Sequence, residues 1–253
     1  MEIYRLVTEV KMLKVLFENN NVIVCVKPAG VLSQSAADGK DEPDMLGLVS
    51  EHIGTQAGLL HRLDRPTGGI MAFSKSPKAT GVLSAAISDK EKCIKEYFAV
   101  VSGEPDSPES ELRDYLFKDL RQGKSFAVFS PRKGAKEACL TYKLLGTAEG
   151  EHGKLSLVKI RLGTGRTHQI RVQFSSRGMP VIGDGKYGSR ERMIGEMSDF
   201  GVSPKDMIAL HAYRLSLDAG KTAKFDVCAF PDKKLYPFSL FDNILTEEKQ
   251  KIQ

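Results

Sequence analysis

Short apolar runs separated by turn-forming residues open the chain. Val15, Leu16 and Phe17 are followed by the turn-prone Glu18, Asn19, Asn20 and Asn21 and then by Val22, Ile23, Val24, Cys25 and Val26. That pattern predicts a β-hairpin. Lys27, Pro28, Ala29 and Gly30 leave the second strand through a tight turn, and residues 33–45 are polar and read as a loop. Ser76-Pro77 has the chemistry of a helix start, Ser as N-cap and Pro at the first helical position. Ala79, Val82, Leu83, Ala86 and Ile87 then recur at helical spacing and give one apolar face. Further strands are predicted over residues 94–103, 138–145, 155–162, 210–217 and 225–230. Arg121, Gln122, Gly123 and Lys124 suit a hairpin turn, and a helix is predicted over residues 166–174 with Thr167 as N-cap, closing near Gly178. Residues 189–206 form a polar insert with a short helix expected around 191–197, and the charged C-terminal tail reads as helical or frayed.

One stretch is poorly explained by patterning alone. Leu60, His61, Arg62, Leu63, Asp64, Arg65, Pro66, Thr67, Gly68, Gly69 and Ile70 place a carboxylate between two guanidiniums and beside an imidazole. Pro66 biases Arg65 away from helix, and the glycine pair permits close backbone approach. Asp64 is therefore expected on a constrained loop at the mouth of a buried strand that begins near Ile70. A surface turn with local Arg–Asp pairs is the plainer reading, and such pairs contribute little.

These residues resemble the His-Arg-Leu-Asp-x-x-Thr-x-Gly loop of the RluA-type pseudouridine synthases. Where that family usually has Thr-Ser-Gly, this chain has Thr67, Gly68 and Gly69. The resemblance extends over roughly residues 15–230. Lys27-Pro28-Ala29-Gly30 is similar to a family turn, and Lys95, Tyr97, Ala99, Val101 and Gly103 match a Lys-x-Tyr-x-Ala-x-Val-x-Gly signature. Gly165-Arg166-Thr167-His168-Gln169-Ile170-Arg171 matches a third signature without departure, and Gly183 to Gly188 and Leu210-His211-Ala212 match two further ones.

The resemblance implies a single pseudouridine-synthase-type α/β (α+β) domain over residues 1–253. Its sheet is long, mixed and mostly antiparallel, with flanking helices and a central cleft. About two dozen residues precede the Lys27-Pro28 turn, too few for the S4-type RNA-binding domain that many relatives carry there. The resemblance further implies Asp64 as the catalytic nucleophile, Arg171 as its ion-pair partner and Tyr97 against the target base. Arg62 would fill the gap left by a flipped nucleotide and Leu210 would line the pocket. Arg166 stands beside the helix start, where an anion is favoured, and His61 is placed to orient the loop. Taken on their own, a strand Tyr is more often core than site, and His211 reads as a satisfied structural histidine. Gly183 to Gly188 reads as a structural turn, and Lys27 as part of a turn from which it can reach RNA.

Composition narrows the alternatives. Hydrophobic content of 41% and charged content of 27% are ordinary for a soluble globular domain. No segment has the apolar length of a membrane span, and the N-terminus lacks the apolar region of a signal peptide. Cys25, Cys93, Cys139 and Cys228 are far apart without a CxxC pair, and the five histidines are scattered. Those spacings suggest reduced cysteines in a cytoplasmic protein and no metal centre. No P-loop or dinucleotide fingerprint is present, so no cofactor is expected. The net charge of +5 is mild but uneven. Arg113, Lys118, Arg121, Lys124, Arg132, Lys133 and Lys136 interleave with Phe117, Phe126 and Phe129. Such a stretch suits an arm gripping RNA phosphates and bases, with a solvated hairpin as the alternative. The expected partner is structured ribosomal or transfer RNA, with no membrane, and nothing demands more than a monomer. A non-catalytic RNA-binding or ribosome-assembly factor on the same fold is the competing reading, since it keeps the arm and does not need Asp64. A glycosidase would need a second carboxyl group beside a matching motif, and none stands there.

Overall fold

The computed structural model describes residues 13–35, 43–128 and 130–252. The extreme N-terminus, the middle of the expected 33–45 loop and Phe129 lie outside the described residues. In chain order the elements are β1 (Val15–Glu18), β2 (Val22–Lys27), α1 (Met45–Ile53), β3 (Gly58–Leu59), β4 (Gly68–Ser74), α2 (Pro77–Ser88), β5 (Cys93–Ser102) and β6 (Glu109–Asp119). They continue with β7 (Lys124–Val128), β8 (Ala135–Gly150), β9 (Gly153–Leu162), α3 (Gln169–Ser175), β10 (Leu210–Asp218), β11 (Lys224–Cys228) and α4 (Asp242–Gln250).

Among the described residues the strands make one 11-stranded sheet in the order β1-β2-β4-β10-β5-β9-β8-β6-β7, with β3 on β4 and β11 on β10. Its named strands pair antiparallel except β4 with β10, which run parallel over His211↔Gly68 and Ala212↔Gly69. The mixed, mostly antiparallel sheet expected from the resemblance is the one observed.

Alternation along the strands sorts the core onto two faces. Ile23 and Cys25 of β2, with Met71 and Phe73 of β4, join a core that includes Met45 and Val49 of α1. Val22 and Val24, with Ile70 and Ala72, turn the other way and pack with Ala79, Leu83, Ala86 and Ile87 of α2. Both strands are therefore buried on both sides, which is why they read as continuous apolar runs rather than alternating ones. Local chemistry sets the helix starts. Ser76 accepts a hydrogen bond from the Ala79 amide at 3.3 Å, and Asp44 accepts one from the Gly47 amide at 2.8 Å. Among the described residues no helix is long and apolar enough to cross a membrane.

Two expectations fail locally. Helix α3 starts at Gln169, not near Arg166, and Thr167 is not its cap. The Gln169 carboxamide oxygen accepts from the Arg166 amide at 3.0 Å and the Thr164 hydroxyl at 2.7 Å, and its nitrogen donates to Cys139 O at 2.9 Å. That knot holds residues 164–168 in a turn. The helix expected around 191–197 is also absent. Ile194 instead forms a β-bridge with Tyr236, and a hydrogen bond ties the Tyr236 hydroxyl to Glu191.

Candidate active site

The order β4-β10-β5-β9 at the centre of the sheet decides which side chains meet. The loop carrying Asp64 runs into β4, Leu210 opens β10, Tyr97 lies on β5, and α3 follows β9 with Arg171. Register places Tyr97 opposite Ala212 on one side and Ile160 on the other. The result is a cavity of about 940 Å³. Its walls include Asp64, Tyr97 and Arg171 together with His61, Arg62, Arg166 and Leu210. All seven residues singled out in the sequence therefore line one cavity.

The Asp64 loop is held by groups behind it. The Thr67 amide donates to Asp64 O at 3.0 Å, and the Ser33 hydroxyl donates to Leu63 O at 2.7 Å. Gly30 and Arg65 are joined twice, Gly30 N to Arg65 O at 2.7 Å and Arg65 Nε to Gly30 O at 3.1 Å. Lys27 completes the clamp. Its ammonium donates to Val31 O at 2.7 Å, Pro28 O at 2.9 Å and Arg65 O at 3.1 Å. Lys27 is fully buried, so it fastens the loop and does not reach RNA. Burial pulls its pKa down to about 7, against the opposing pull of Asp64. His61 accepts the Ala72 amide at Nε2, 3.1 Å away. Burial, aided by Lys95, pushes its pKa down to about 3, so this ring stays neutral. His211 is structural as expected: its Nε2–H donates to Ala229 O at 3.0 Å.

The glycine pair divides its work unequally. Gly69 has φ 122, and a Cβ there would sit 2.5 Å from Ala212 N and 2.7 Å from Ala212 Cα, across the parallel β4–β10 contact. At Gly68 a Cβ would meet His211 Nδ1 at 3.2 Å and Ala29 N at 3.4 Å, a contact that small shifts relieve. The position at which this chain departs from Thr-Ser-Gly is thus the less crowded of the two. Gly69→Ala is expected to lower stability by about 3 kcal/mol or more, combining strain with backbone overlap. Gly68→Ser is expected to stay within about 1 kcal/mol of wild type. Urea denaturation of both variants checks the contrast, and equal effects would contradict it.

Asp64 and Arg171 meet directly. Arg171 Nη1 donates to Asp64 Oδ2 at 2.9 Å. The rest of the guanidinium is taken by Asp184, Nε to Oδ2 at 2.6 Å and Nη2 to Oδ1 at 2.9 Å. Arg171 and Asp184 side chains are 5% and 2% exposed, whereas that of Asp64 is 27% exposed. The pair with Asp184 is thus a buried fixture, and Asp64 projects from it into the cavity. Burial opposes the Arg171 charge, but the hydrogen bonds and charge of Asp184, followed by those of Asp64, push its pKa upward overall. Burial, then the Asp64 charge, pushes the Tyr97 phenol up, keeping it protonated. Asp184 and Tyr187 belong to the Gly183–Gly188 segment, read from sequence only as a structural turn. The Arg171 guanidinium lies 5.0 Å from the Tyr187 ring centroid. A Gly-flanked acid gives no local sign of a partner in a neighbouring helix, so periodicity could not have found it.

Arg62 is exposed at the cavity mouth, and exposed Arg166 donates from Nε to Glu137 O at 2.8 Å. The cavity wall carries seven cationic residues (Arg62, Arg65, Lys90, Lys95, Arg166, Arg171, Lys186) against two acids, Asp64 and Asp89. The expected β6–β7 hairpin is present, with Lys118, Arg121, Lys133 and Lys136 exposed on and beside it. Its tip is fastened beside the site by Lys186 Nζ, which donates to Gly123 O at 2.6 Å. Arg132 covers the Phe117 ring at 4.4 Å, and Arg113 pairs with Glu111 and Glu137.

Comparison with known proteins agrees with this architecture. Residues 21–176 match the family model for RNA pseudouridylate synthase. Ribosomal large subunit pseudouridine synthase D of Borreliella burgdorferi is 30% identical over 230 residues, covering 87% of this chain and 65% of the relative. The tRNA pseudouridine synthase C of Pectobacterium carotovorum is 28% identical, covering 82% of this chain and 56% of the relative. The chain thus spans less than two thirds of the length of these curated relatives. Among solved structures, human RNA pseudouridylate synthase domain containing 1 superposes with a TM-score of 0.68 at 21% identity, covering 88% of this chain and 84% of that one. Human RNA pseudouridylate synthase domain containing 4 gives 0.66 at 21% identity, covering 92% and 93%. With the family match spanning more than half of its residues, the chain belongs to the RNA pseudouridylate synthase family.

Proposed function

We propose that this protein is an isomerase that converts a uridine of ribosomal or transfer RNA into pseudouridine, with Asp64 as the nucleophile. The observation carrying the proposal is the Asp64 carboxylate, held at 2.9 Å by a guanidinium that is itself fixed by Asp184, facing a cation-rich cavity. The reaction breaks the N1–C1′ bond, turns the uracil and rejoins it through C5. It is neither redox nor hydrolytic, and one carboxylate can begin it as a covalent nucleophile. The chemistry works with attack of Asp64 on either the sugar or the base.

Each remaining residue has a task in this scheme. A stacked uridine is out of reach, so the target nucleotide is everted into the cavity. Arg62 follows as a planar cation able to stack in the vacated position. Tyr97 lies beneath the uracil and Leu210 closes the pocket wall. Tyr97, protonated and buried, can move the C5 proton only as a relay, its oxygen taking that proton as its own phenolic proton passes to the Asp64 carboxylate once that group is free. Arg166 and the basic β6–β7 arm take RNA phosphates, a contribution that weakens as salt rises. The protein acts in the cytoplasm, as a monomer, without a cofactor.

Two measurements test the proposal. Purified protein is expected to release tritium from RNA labelled at uridine C5. Pseudouridine mapping in cells with and without the gene is expected to show at least one position lost. Binding of RNA without tritium release would favour the non-catalytic factor instead.

A further inference from the structure

A second chain of contacts reaches Asp64 from the side opposite Arg171. His168 Nε2 lies 3.8 Å from Asp64 Oδ1, the oxygen that Arg171 leaves open. His168 Nδ1 lies 2.8 Å from the Tyr187 hydroxyl. That hydroxyl in turn accepts the Ser125 backbone amide at 2.9 Å, in β7. Ser125 is 2% exposed and Tyr187 7% exposed, so the chain runs behind the cavity wall.

Donor counting favours one arrangement of the protons. A phenol has one proton to give. The Ser125 N–H can only donate, so the Tyr187 oxygen accepts from it. Among the described residues the remaining partner of that hydroxyl is His168 Nδ1, and the phenolic O–H is satisfied within the protein when Nδ1 accepts it. A neutral imidazole accepting at Nδ1 carries its hydrogen at Nε2, the nitrogen facing Asp64. His168 also has φ 55, the one non-glycine residue with positive φ among those described. This left-handed conformation is sparsely populated and needs outside contacts to hold it. The charges that face the ring pull in both directions. Burial lowers the His168 pKa, Asp64 and Asp184 raise it, and Arg171 and Lys186 lower it, with a net downward shift that favours the neutral ring.

We infer that His168 is a positioning residue for Asp64, locked as its Nε2–H tautomer by a hydrogen-bond chain that starts in the β7 strand of the arm. The inference rests on the proposed function for its kinetic consequence and on geometry alone for the tautomer. Arg171 fixes Oδ2, and His168 faces Oδ1 with a donor that restricts rotation of the carboxylate plane when the two close to hydrogen-bond distance. At 3.8 Å the Nε2–H is an approach rather than a bond, a spacing that commonly tightens when substrate closes a site. The same chain connects the nucleophile to the element that carries the basic arm.

Nitrogen-15 NMR of the histidine rings, with His168→Gln used for assignment, reads the tautomer directly. Neutral Nε2–H imidazole is expected for His168 in wild type at pH 7, and a mixture of tautomers in Tyr187→Phe. Tyr187→Phe and His168→Gln are each expected to lower kcat by about 10- to 100-fold, with KM for RNA unchanged, the mark of lost orientation. Tyr187→Phe keeps the ring and its packing, so it remains informative even if His168→Gln folds poorly. An Nδ1–H tautomer in wild type, an unchanged kcat in Tyr187→Phe, or an effect on KM alone would overturn the inference. A wild-type protein inactive on RNA would count against the proposed function, while the tautomer assignment stands or falls on the spectrum.

Discussion

Asp64→Asn is expected to abolish tritium release from C5-labelled uridine RNA, with a loss on the order of 10³-fold or more, as removal of a nucleophile does elsewhere. Asn has nearly the same shape and its oxygen can still accept from Arg171, so the loop loses little of its support. Arg171 also retains its bidentate pair with Asp184. The variant should therefore unfold within about 2 kcal/mol of wild type and still bind RNA. Loss of activity with preserved folding and binding isolates the chemistry of one carboxylate. Full activity in the variant would remove Asp64 from the role of nucleophile.

The second large effect falls on Arg171, whose single guanidinium touches two carboxylates. Arg171→Met is expected to eliminate activity and to cost about 3–5 kcal/mol, because it strands the buried Asp184 charge. Arg171→Lys should recover part of the stability but little activity, since a point-like ammonium cannot hold both acids in the geometry of a planar fork. Combining Arg171→Met with Asp184→Leu removes the stranded charge and is expected to restore much of the stability while activity stays absent. Urea denaturation together with the tritium assay reads this cycle. Wild-type turnover in Arg171→Lys would contradict the assigned role.

Both residues are visible in the amino-acid sequence, Asp64 through the chemistry of its loop as well as the motif, Arg171 as its partner only through motif resemblance. Asp64 sits among turn-formers that announce a constrained loop, and the Gly68–Gly69 pair announces close backbone approach. Nothing local, however, joined Asp64 to Arg171, because that contact depends on the order of β4, β10, β5 and β9. Strand positions were legible because their apolar runs are bounded by turn chemistry, although β8 extends well beyond residues 138–145. Lys27 departs from its expected exposure because a lysine in a turn is ordinarily solvated, and only tertiary closure supplies its three carbonyls. The start of α3 was misplaced because the Gln169 side chain outcompetes Thr167 for the nearby backbone. Asp184, Tyr187 and His168 escaped notice as a group since their partners lie across loops, beyond the reach of any helical or strand period.

Asp64 and its guanidinium partner are 107 positions apart along the chain. Closing such a distance costs chain entropy that this one contact does not offset, so the pair depends on the strands between its members for its support. During synthesis the acid emerges long before its counter-charge. A growing polypeptide therefore holds no complete cleft until the chain has been made through β10, whose Leu210 forms part of the wall.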